Sequence, residues 1–258
     1  MTTVALPNPR MAFRVWRRDL RVFSNLWKGA LLPTFLDPVL YLLAMGFGLG
    51  AYIASINGIP YKDFIASGLV ASAAMWATAF ETTYNVHFRM TEYRLYDNVL
   101  STPVEVEDLV LGEMAWACTR AVIYGTVFLI IVGVFGLIHS PWAVVTPVFI
   151  VIGAACFAVI GLSFTTIVGK VDYFTYYYTL FVTPMFLFSG IFYPLDRLPG
   201  WTHVVAWFTP LYHLVLITRG LILGPHLLSV LGNTLWLVVV TAILFSVPVI
   251  WMRKRLVP

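Results

Sequence analysis

Two ionisable residues lie deep inside apolar stretches of the sequence. Glu81 stands six residues before His87, where one stretch ends, and Arg120 stands eleven residues after Leu109, where another begins. A charge inside a membrane costs several kcal/mol unless it finds a partner or water. We therefore expect Glu81 and Arg120 either to form a structural ion pair or to line a polar translocation path. Glu113 precedes Arg120 by seven residues, which is about two helical turns, and is an alternative partner.

Four histidines near the ends of apolar stretches are candidates for metal binding or acid/base chemistry. They are His139, His203, His213 and His226, with Asp196 nearby. Their spacings match no compact metal-ligand pattern, so we expect no metal site. The sequence contains neither a G-x-S-x-G nor an H-E-x-x-H motif, and the glycine spacing before Lys170 is not that of a P-loop. We therefore predict no catalytic residue and no cofactor bound by this chain.

Aromatic residues cluster at the start of one apolar stretch and in the segment that follows it. Tyr173 and Tyr177 lie at the start, and Tyr193, Trp201 and Trp207 lie in the later segment. Tyr and Trp favour the membrane–water interfaces, which explains this placement without any ligand. The alternative is that these rings stack on sugar rings, which requires them to face a passage. These five residues are the candidates for a substrate path or gate.

The composition places these residues in a membrane protein. Of the 258 residues, 60% are hydrophobic and 11% are charged, and the mean hydropathy is +0.87. Soluble domains lie outside this range, and apolar runs of about 20 residues favour spanning helices over a β-barrel. The sequence therefore predicts an all-α integral membrane protein with a single domain, residues 1–258. The formal charge of +4 comes from basic residues beside apolar runs, so we expect no nucleic-acid partner.

Six apolar stretches are long enough to span a hydrocarbon core of about 30 Å. They are residues 32–55, 64–87, 109–138, 142–168, 174–192 and 228–251. Before them, residues 10–30 alternate apolar side chains with arginines every three or four positions, which is typical of an amphipathic helix at the membrane interface. Asp37, followed by Pro38, is expected to cap the first span. Residues 189–225 are apolar but contain several prolines, which forbid one continuous spanning helix. If the second half of this segment crossed the membrane, the chain would have seven spans and its two basic ends would face opposite sides. We predict instead a re-entrant helical hairpin on the outer side, between spans five and six, which puts both basic ends on the same side.

The basic residues predict the orientation of this arrangement. Twelve lie on the N-terminal side: Arg10, Arg14, Arg17, Arg18, Arg21, Lys28, Arg89, Arg94, Lys170, Arg253, Lys254 and Arg255. Three lie on the other side: Lys62, Arg197 and Arg219. The positive-inside bias therefore places both termini in the cytoplasm. The cytoplasmic connection 88–108 is acidic and longer than a turn requires, so we predict that it contains a short surface helix at 91–100 and docks a cytoplasmic partner.

Five strings in order along the chain carry a family resemblance. They are DPVLYLLAMGFGLG at 37–50, FIASGLVASAAMW with FETTY at 64–84, TPVEVEDLVLGEMAWA at 102–117, DYFTYYYTLFVTPMFLFSGIFYPLDRLP at 172–199 and PLYH at 210–213. Together they resemble the ABC-2 type permeases over nearly the whole chain. The resemblance is closest to the nodulation-factor branch, whose members export lipo-chitooligosaccharides.

The resemblance implies a half-transporter in the bacterial cytoplasmic membrane. Such a permease forms a homodimer and binds two copies of a separate ABC ATPase, which holds the ATP and Mg²⁺. Coupling to the ATPase is implied for the first cytoplasmic loop, where the candidate residues are Arg89, Glu92, Arg94, Asp97 and Thr102. The implied cargo is a lipid-linked oligosaccharide or another amphiphile, which passes between the two permeases among membrane lipids.

Two other classes of function stay open at this point. An integral membrane transferase acting on a lipid would use Asp196, His203 and His213 as acid/base groups on the outer face. An ion-coupled carrier would use Glu81 and Arg120, and would need no ATPase.

Overall fold

The computed structural model describes residues 7–224 and 227–256, and nearly all of this chain is helical. The α-helices are α1 (Pro9–Tyr41), α2 (Tyr61–Phe80), α3 (Val86–Thr91), α4 (Leu95–Leu100), α5 (Val106–Val134), α6 (Thr146–Ile167), α7 (Phe174–Tyr177), α8 (Thr183–Phe188), α9 (Gly200–Trp207), α10 (Pro210–Leu223), α11 (Leu227–Leu244) and α12 (Ser246–Leu256). Short 3₁₀ turns lie at Leu49–Ala51, Pro141–Val145, Val171–Tyr173 and Leu195–Arg197. Three π segments lie at Leu42–Gly48, Glu81–Asn85 and Tyr178–Val182.

A two-residue hairpin interrupts this helical chain and was not predicted. Strands β1 (Ser55–Ile56) and β2 (Ile59–Pro60) pair antiparallel. The turn between them is Asn57–Gly58, with φ angles of +50° and +80°. Asn-Gly is the preferred sequence for such a left-handed two-residue turn, so the hairpin follows from local turn chemistry.

The N-terminal helix and the first predicted span form one continuous helix. α1 begins after Asn8, whose side chain accepts a hydrogen bond from the backbone N–H of Arg10, and it continues directly into the π segment Leu42–Gly48. The predicted cap at Asp37 is therefore wrong, because the backbone is helical through Asp37 and Pro38. Proline is tolerated inside membrane helices when neighbouring groups satisfy the freed carbonyl. The side chains of residues 28–35 and 37 lie outside the described part.

Within the described residues, four helices are long and apolar enough to cross a membrane. They are Tyr61–Thr91, Val106–Val134, Pro141–Ile167 and Leu227–Leu256. The first of these joins α2, a π segment and α3, and we call it the second helix. The predicted spans at 32–55 and 174–192 fall on helices whose described apolar parts are shorter, Pro38–Ala51 and residues 174–188. The count of six spans therefore stays a prediction.

Within the predicted re-entrant segment, α9 and α10 meet at an angle of 90°. Only Phe208 and Thr209 separate them, and Pro210 begins α10. The proline ring cannot continue a preceding helix, which explains the break. Counted as one bent span, this pair is a fifth membrane candidate. That it enters and leaves on the outer face stays a prediction, and residue 225 lies outside the described chain.

Three long helices pack around α5. α1, α2 and α6 all lie against it. Gly112 allows α1 to approach, because a Cβ at this position would lie 2.6 Å from Cβ of Val15 and 2.8 Å from the carbonyl oxygen of Ala12. This close approach brings the polar side chains of α1 next to those of α5.

Both ends of the described chain contact the start of α5. The backbone N–H of Asn8 donates to Asp108 at 2.5 Å, and the guanidinium of Arg253 donates to Glu107 at 2.5 and 2.7 Å. Arg255 donates to three backbone carbonyls at the end of α6. The beginning of α1 and the end of α12 therefore lie on the same face of the bundle.

Candidate functional site

Charged side chains from three helices form a buried group that we call the charge cluster. Its members are Arg18 and Asp19 of α1, Glu81 and Arg89 of the second helix, and Glu113 and Arg120 of α5. None of the three carboxylate residues is more than 3% exposed. Burying charges among apolar helices requires compensation by partners. Three guanidiniums facing three carboxylates provide that compensation.

Arg89 is the centre of the charge cluster. Its guanidinium pairs with Asp19 at 3.2 Å, with Glu113 at 2.9 Å and with Glu81, so it joins all three helices. The sequence placed Arg89 in the cytoplasmic loop 88–108, whereas the structure places it on α3. The second helix continues to Thr91, so Arg89 still belongs to a helix and turns its side chain into the bundle. Its role in ATPase coupling stays a prediction.

The predicted pair of Glu81 and Arg120 is present. Arg120 donates to Glu81 and, through Nη2, to the hydroxyl of Tyr124 at 3.0 Å. Glu113, the alternative partner of Arg120, pairs instead with Arg89 and with Arg18 at 2.8 Å. The polar groups expected inside the spans therefore belong to a larger set that includes α1.

Sequence reasoning missed the two cluster members on α1, Arg18 and Asp19. It counted Arg18 among the exposed basic residues of an interface helix and did not consider Asp19. One signal was available, because Asp19 is the single acidic residue in the arginine-rich stretch 10–30. The structure places the neighbours Arg10, Arg14 and Arg17 at the surface, as expected.

Burial changes two pKa values at the edge of the charge cluster. Burial, and next the charge of Glu113, raise the pKa of Asp19 to about 7, although the guanidiniums of Arg89 and Arg18 act in the opposite direction. Burial raises the pKa of the Tyr96 hydroxyl well above its usual value, so Tyr96 is neutral. Asp19 therefore changes its charge near neutral pH.

The short helix predicted at 91–100 is present as α4, which begins at Leu95, and of the candidate coupling residues Asp97 lies on it. Glu92, Arg94, Asp97 and Thr102 are all exposed around it. Arg94 has a left-handed backbone with φ of +44°, which turns the chain sharply between α3 and α4. On the inner side of α4, Tyr96 is fully buried. The loop thus shows charged groups outward while Tyr96 anchors it beside the charge cluster.

A cleft of about 580 Å³ opens between α1, the second helix and α7–α8, and we call it the aromatic cleft. Its aromatic lining consists of Tyr41, Trp76, Phe80, Tyr84, Tyr178 and Phe186. Trp76 and Tyr178 stack with ring centres 5.8 Å apart and planes 6° from parallel. Ser72, Thr175 and Thr179 add hydroxyl groups to the lining. Flat aromatic faces with a few hydroxyls suit a ligand that is partly apolar and partly polar.

Each helix that borders the aromatic cleft contains one of the three π segments. Leu42–Gly48 follows α1, Glu81–Asn85 follows α2, and Tyr178–Val182 follows α7. Such segments are rare in proteins and frequent at functional sites. The middle segment connects the two parts of the site, because its Glu81 belongs to the charge cluster and its Tyr84 lines the aromatic cleft.

The aromatic residues predicted for a path or gate are not among those that line the aromatic cleft in the described chain. They are Tyr173, Tyr177, Tyr193, Trp201 and Trp207. Tyr177 is buried inside the bundle, whereas Tyr173, Trp201 and Trp207 are exposed and Tyr193 is half-buried. Tyr178, one residue beyond Tyr177, takes the cleft position, because one residue turns a helix by about 100°. A gating role for the five stays a prediction.

The structure separates the outer histidines from one another. His139 pairs with Asp63 at 2.9 Å, and His203 lies 3.7 Å from Asp196. His213 is buried and hydrogen-bonds Asn233 and the backbone of Trp207. Within residues 7–224 and 227–256, no three His, Cys, Asp or Glu side chains are grouped as a metal site would require. His226 lies outside the described residues.

The site and its helices can now be compared with known proteins. The sequence pattern of the family described as ABC-2 type transporter matches residues 12–223, which include the charge cluster and most of the aromatic cleft's helices. The chain belongs to the ABC-2 type transporter family. The resemblance found from the sequence strings is thereby confirmed. With its apolar helices, this ABC-2 type transporter chain is a multi-pass membrane permease.

Several named relatives of this ABC-2 type transporter chain cover most of its length. Nodulation protein J of Rhizobium leguminosarum bv. viciae is 35% identical over 245 residues, which are 94% of this chain and 93% of the relative. Nodulation protein J of Rhizobium meliloti (strain 1021) is 33% identical over 95% of this chain and 93% of the relative. The inner membrane transport permease YadH of Escherichia coli (strain K12) is 23% identical over 78% of each chain.

Proposed function

We propose that this chain is the membrane subunit of an ATP-driven exporter for an amphipathic, glycan-bearing lipid. The aromatic cleft is the observation that carries the proposal. Stacked rings such as Trp76 and Tyr178 suit the apolar faces of sugar rings and lipid chains, and the hydroxyls of Ser72 and Thr179 suit sugar hydroxyls. The kinship with Nodulation protein J and with a transport permease supports a transport role for this cleft.

The working unit in this proposal is a homodimer with two ATPase subunits. The sequence has no P-loop motif of its own, so ATP hydrolysis belongs to a separate chain. The loop around α4 is the proposed docking element, because Glu92 and Arg94 before α4 and Asp97 on it are exposed. Both termini and α4 face the cytoplasm of the bacterial inner membrane, in agreement with the excess of basic residues on that side.

The charge cluster is the proposed link between ATPase and cleft. A movement of α4 displaces Tyr96, which is buried next to the cluster. Arg89 connects this region to Glu81, and the π segment that carries Glu81 also places Tyr84 in the aromatic cleft. Because ion pairs hold α1, the second helix and α5 together here, we expect the three helices to shift as a unit.

The proposal is tested by isolating the tagged chain from its native membrane and identifying what accompanies it. We expect a P-loop ATPase at equal stoichiometry, and ATP-dependent movement of glycolipid when the complex is placed in vesicles. Glu92→Lys combined with Asp97→Lys should lower ATPase recovery. Asp196→Lys is the matched control, since Asp196 is exposed far along the chain on the predicted outer side. Transport driven by a proton gradient without an ATPase, or lipid modification by the chain alone, would instead support the carrier or the transferase.

A further inference from the structure

His213 occupies the corner between α9 and α10 and is not used by the proposed export function. It lies three residues after Pro210, in the first turn of α10, and is 2% exposed. Since only Phe208 and Thr209 join the two helices, side-chain contacts must hold the 90° angle between them. His213 makes such contacts with both α9 and α11.

Each ring nitrogen of His213 faces one hydrogen-bond partner. Nε2 lies 2.7 Å from the carbonyl oxygen of Trp207, the last residue of α9. Nδ1 lies 2.7 Å from Oδ1 of Asn233 on α11. A C-terminal helix carbonyl has no partner within its own helix, so His213 satisfies a group that the break at Pro210 leaves open.

Both partner atoms are acceptors, and this determines the number of protons on the ring. A backbone carbonyl cannot donate. The amide of Asn233 is oriented by its own NH₂ group, which donates to the carbonyl oxygen of Ser229 at 2.6 Å and so leaves Oδ1 toward His213. A neutral imidazole carries a single N–H and can satisfy one acceptor. The imidazolium, with two N–H groups, satisfies both.

The rings around His213 favour the same charged form. Trp236 of α11 stacks on the imidazole with ring centres 3.9 Å apart and planes 20° from parallel. The rings of Trp207 and Tyr212 approach it edge-on. A cation over an indole face is stabilised by the ring electrons. Burial opposes the charge, while the two acceptors and Trp236 act in the opposite direction.

The other titratable groups near this corner are few. On the elements packed against α10 they are Tyr212 and Arg219 of α10 itself, His203 of α9 with Asp196 before it, Tyr61, Lys62 and Asp63 of α2, and Cys156 of α6. α8 and α11 contain no charged residue. No carboxylate among the described residues forms an ion pair with His213, so its charge depends on the acceptors and rings named above.

We propose that His213 is a proton-binding site whose imidazolium form clasps α9 and α11 to the start of α10. Loss of the proton turns a lone pair of one ring nitrogen toward an acceptor, which breaks one of the two hydrogen bonds. Either α9 or α11 is then released from the corner. The bent segment is closed when His213 is charged and loosens as the pH on its side of the membrane rises.

The test uses the full-length chain in lipid nanodiscs with ¹⁵N-labelled histidines. Long-range ¹H–¹⁵N spectra report the protonation of each ring nitrogen, and His213→Gln assigns the signal. We expect one protonated nitrogen at neutral pH and two at acidic pH. Asn233→Asp places an opposite charge beside the ring and should raise the midpoint by about 1–3 pH units, whereas Asn233→Leu should lower it. If His213→Gln does not fold, the signal that moves in Asn233→Asp provides the assignment.

A second measurement follows the clasp itself. Amide hydrogen exchange in α9 should accelerate as the pH passes the midpoint of His213, beyond the intrinsic base-catalysed increase seen in α5 of the same sample. His203→Gln is the control, since His203 is 40% exposed and should leave both readouts unchanged. A singly protonated His213 from about pH 5 to pH 8 would overturn the proposal. So would an unmoved midpoint in Asn233→Asp, or exchange in α9 that does not follow the midpoint.

Discussion

Replacing Arg89 by Met tests the charge cluster as a unit. Met keeps an apolar stem of similar length but removes the ion pairs to Asp19, Glu81 and Glu113, so three carboxylates face two guanidiniums. Removing one partner from a buried ion pair costs about 3–5 kcal/mol, and the Arg89 side chain is only 14% exposed. For a chain of this size 1 kcal/mol moves Tm by about 2–4 °C. We therefore expect Tm to fall by on the order of 10 °C, measured by thermal unfolding in nanodiscs.

A second substitution and a control separate charge balance from packing. Adding Glu113→Gln to Arg89→Met leaves two carboxylates and two guanidiniums, so the double variant should unfold at a higher temperature than Arg89→Met alone. Arg17→Met removes an exposed arginine of α1 and should change stability by less than about 0.5 kcal/mol. Equal losses for Arg89→Met and Arg17→Met, or no recovery in the double variant, would refute the argument from charge balance.

Other predictions concern α1 and its contact with α5. Gly112→Ala places a Cβ 2.6 Å from Val15 and should cost about 1–3 kcal/mol, whereas Gly232→Ala, with open space around it, should not destabilise; thermal unfolding compares them. Because burial raises the pKa of Asp19 to about 7, the free energy of unfolding should fall as the pH rises from about 4 to about 7. Asp19→Asn should remove this pH dependence, and an equal pH dependence in the variant and the unchanged chain would contradict the prediction. Asp108 accepts hydrogen bonds from the backbone N–H groups of Glu105 and Asn8 at the start of α5. Asp108→Ala loses both bonds and should cost about 0.5–2 kcal/mol, while an equal loss from exposed Asp97→Ala would contradict this role of Asp108.

The sequence was sufficient to predict the part of the site in which a buried charge requires a partner of opposite charge. Glu81 and Arg120 were paired correctly because a charge among apolar residues must be compensated. Arg89 was assigned to the loop because the end of the second helix is not marked in the sequence: the predicted span ends at residue 87, whereas the helix continues to Thr91. Asp19 was overlooked because its neighbours are exposed arginines. The aromatic lining of the cleft was not predicted, because the sequence does not show which way each side chain of the helix points. Tyr177 is buried in the bundle, whereas its neighbour Tyr178 faces the cleft.

For the fold, the length and hydropathy of an apolar stretch were sufficient to predict the bounds of a helix that is uniformly apolar. α5, α6 and the second helix agree with the predicted spans to within a few residues at most ends. The cap predicted at Asp37 failed because local rules treat Asp-Pro as a helix start, whereas the contacts of α1 along α5 continue the helix through it. The bend between α9 and α10 was expected from Pro210, but its angle depends on packing partners such as His213 and Asn233, which are distant in sequence.

Transport by Trp76 variants tests the central claim, that the aromatic cleft carries the cargo. Vesicles would contain the chain, its co-purified ATPase and glycolipids extracted from the same membrane, with ATP-dependent movement quantified by mass spectrometry. Losing the stacked ring removes about 1–1.5 kcal/mol, so Trp76→Ala should lower the transport rate roughly tenfold with ATPase recovery unchanged. Trp142→Ala, which removes an exposed ring outside the cleft, should leave the rate unchanged. Normal transport by Trp76→Ala, or equal loss in both variants, would contradict the account.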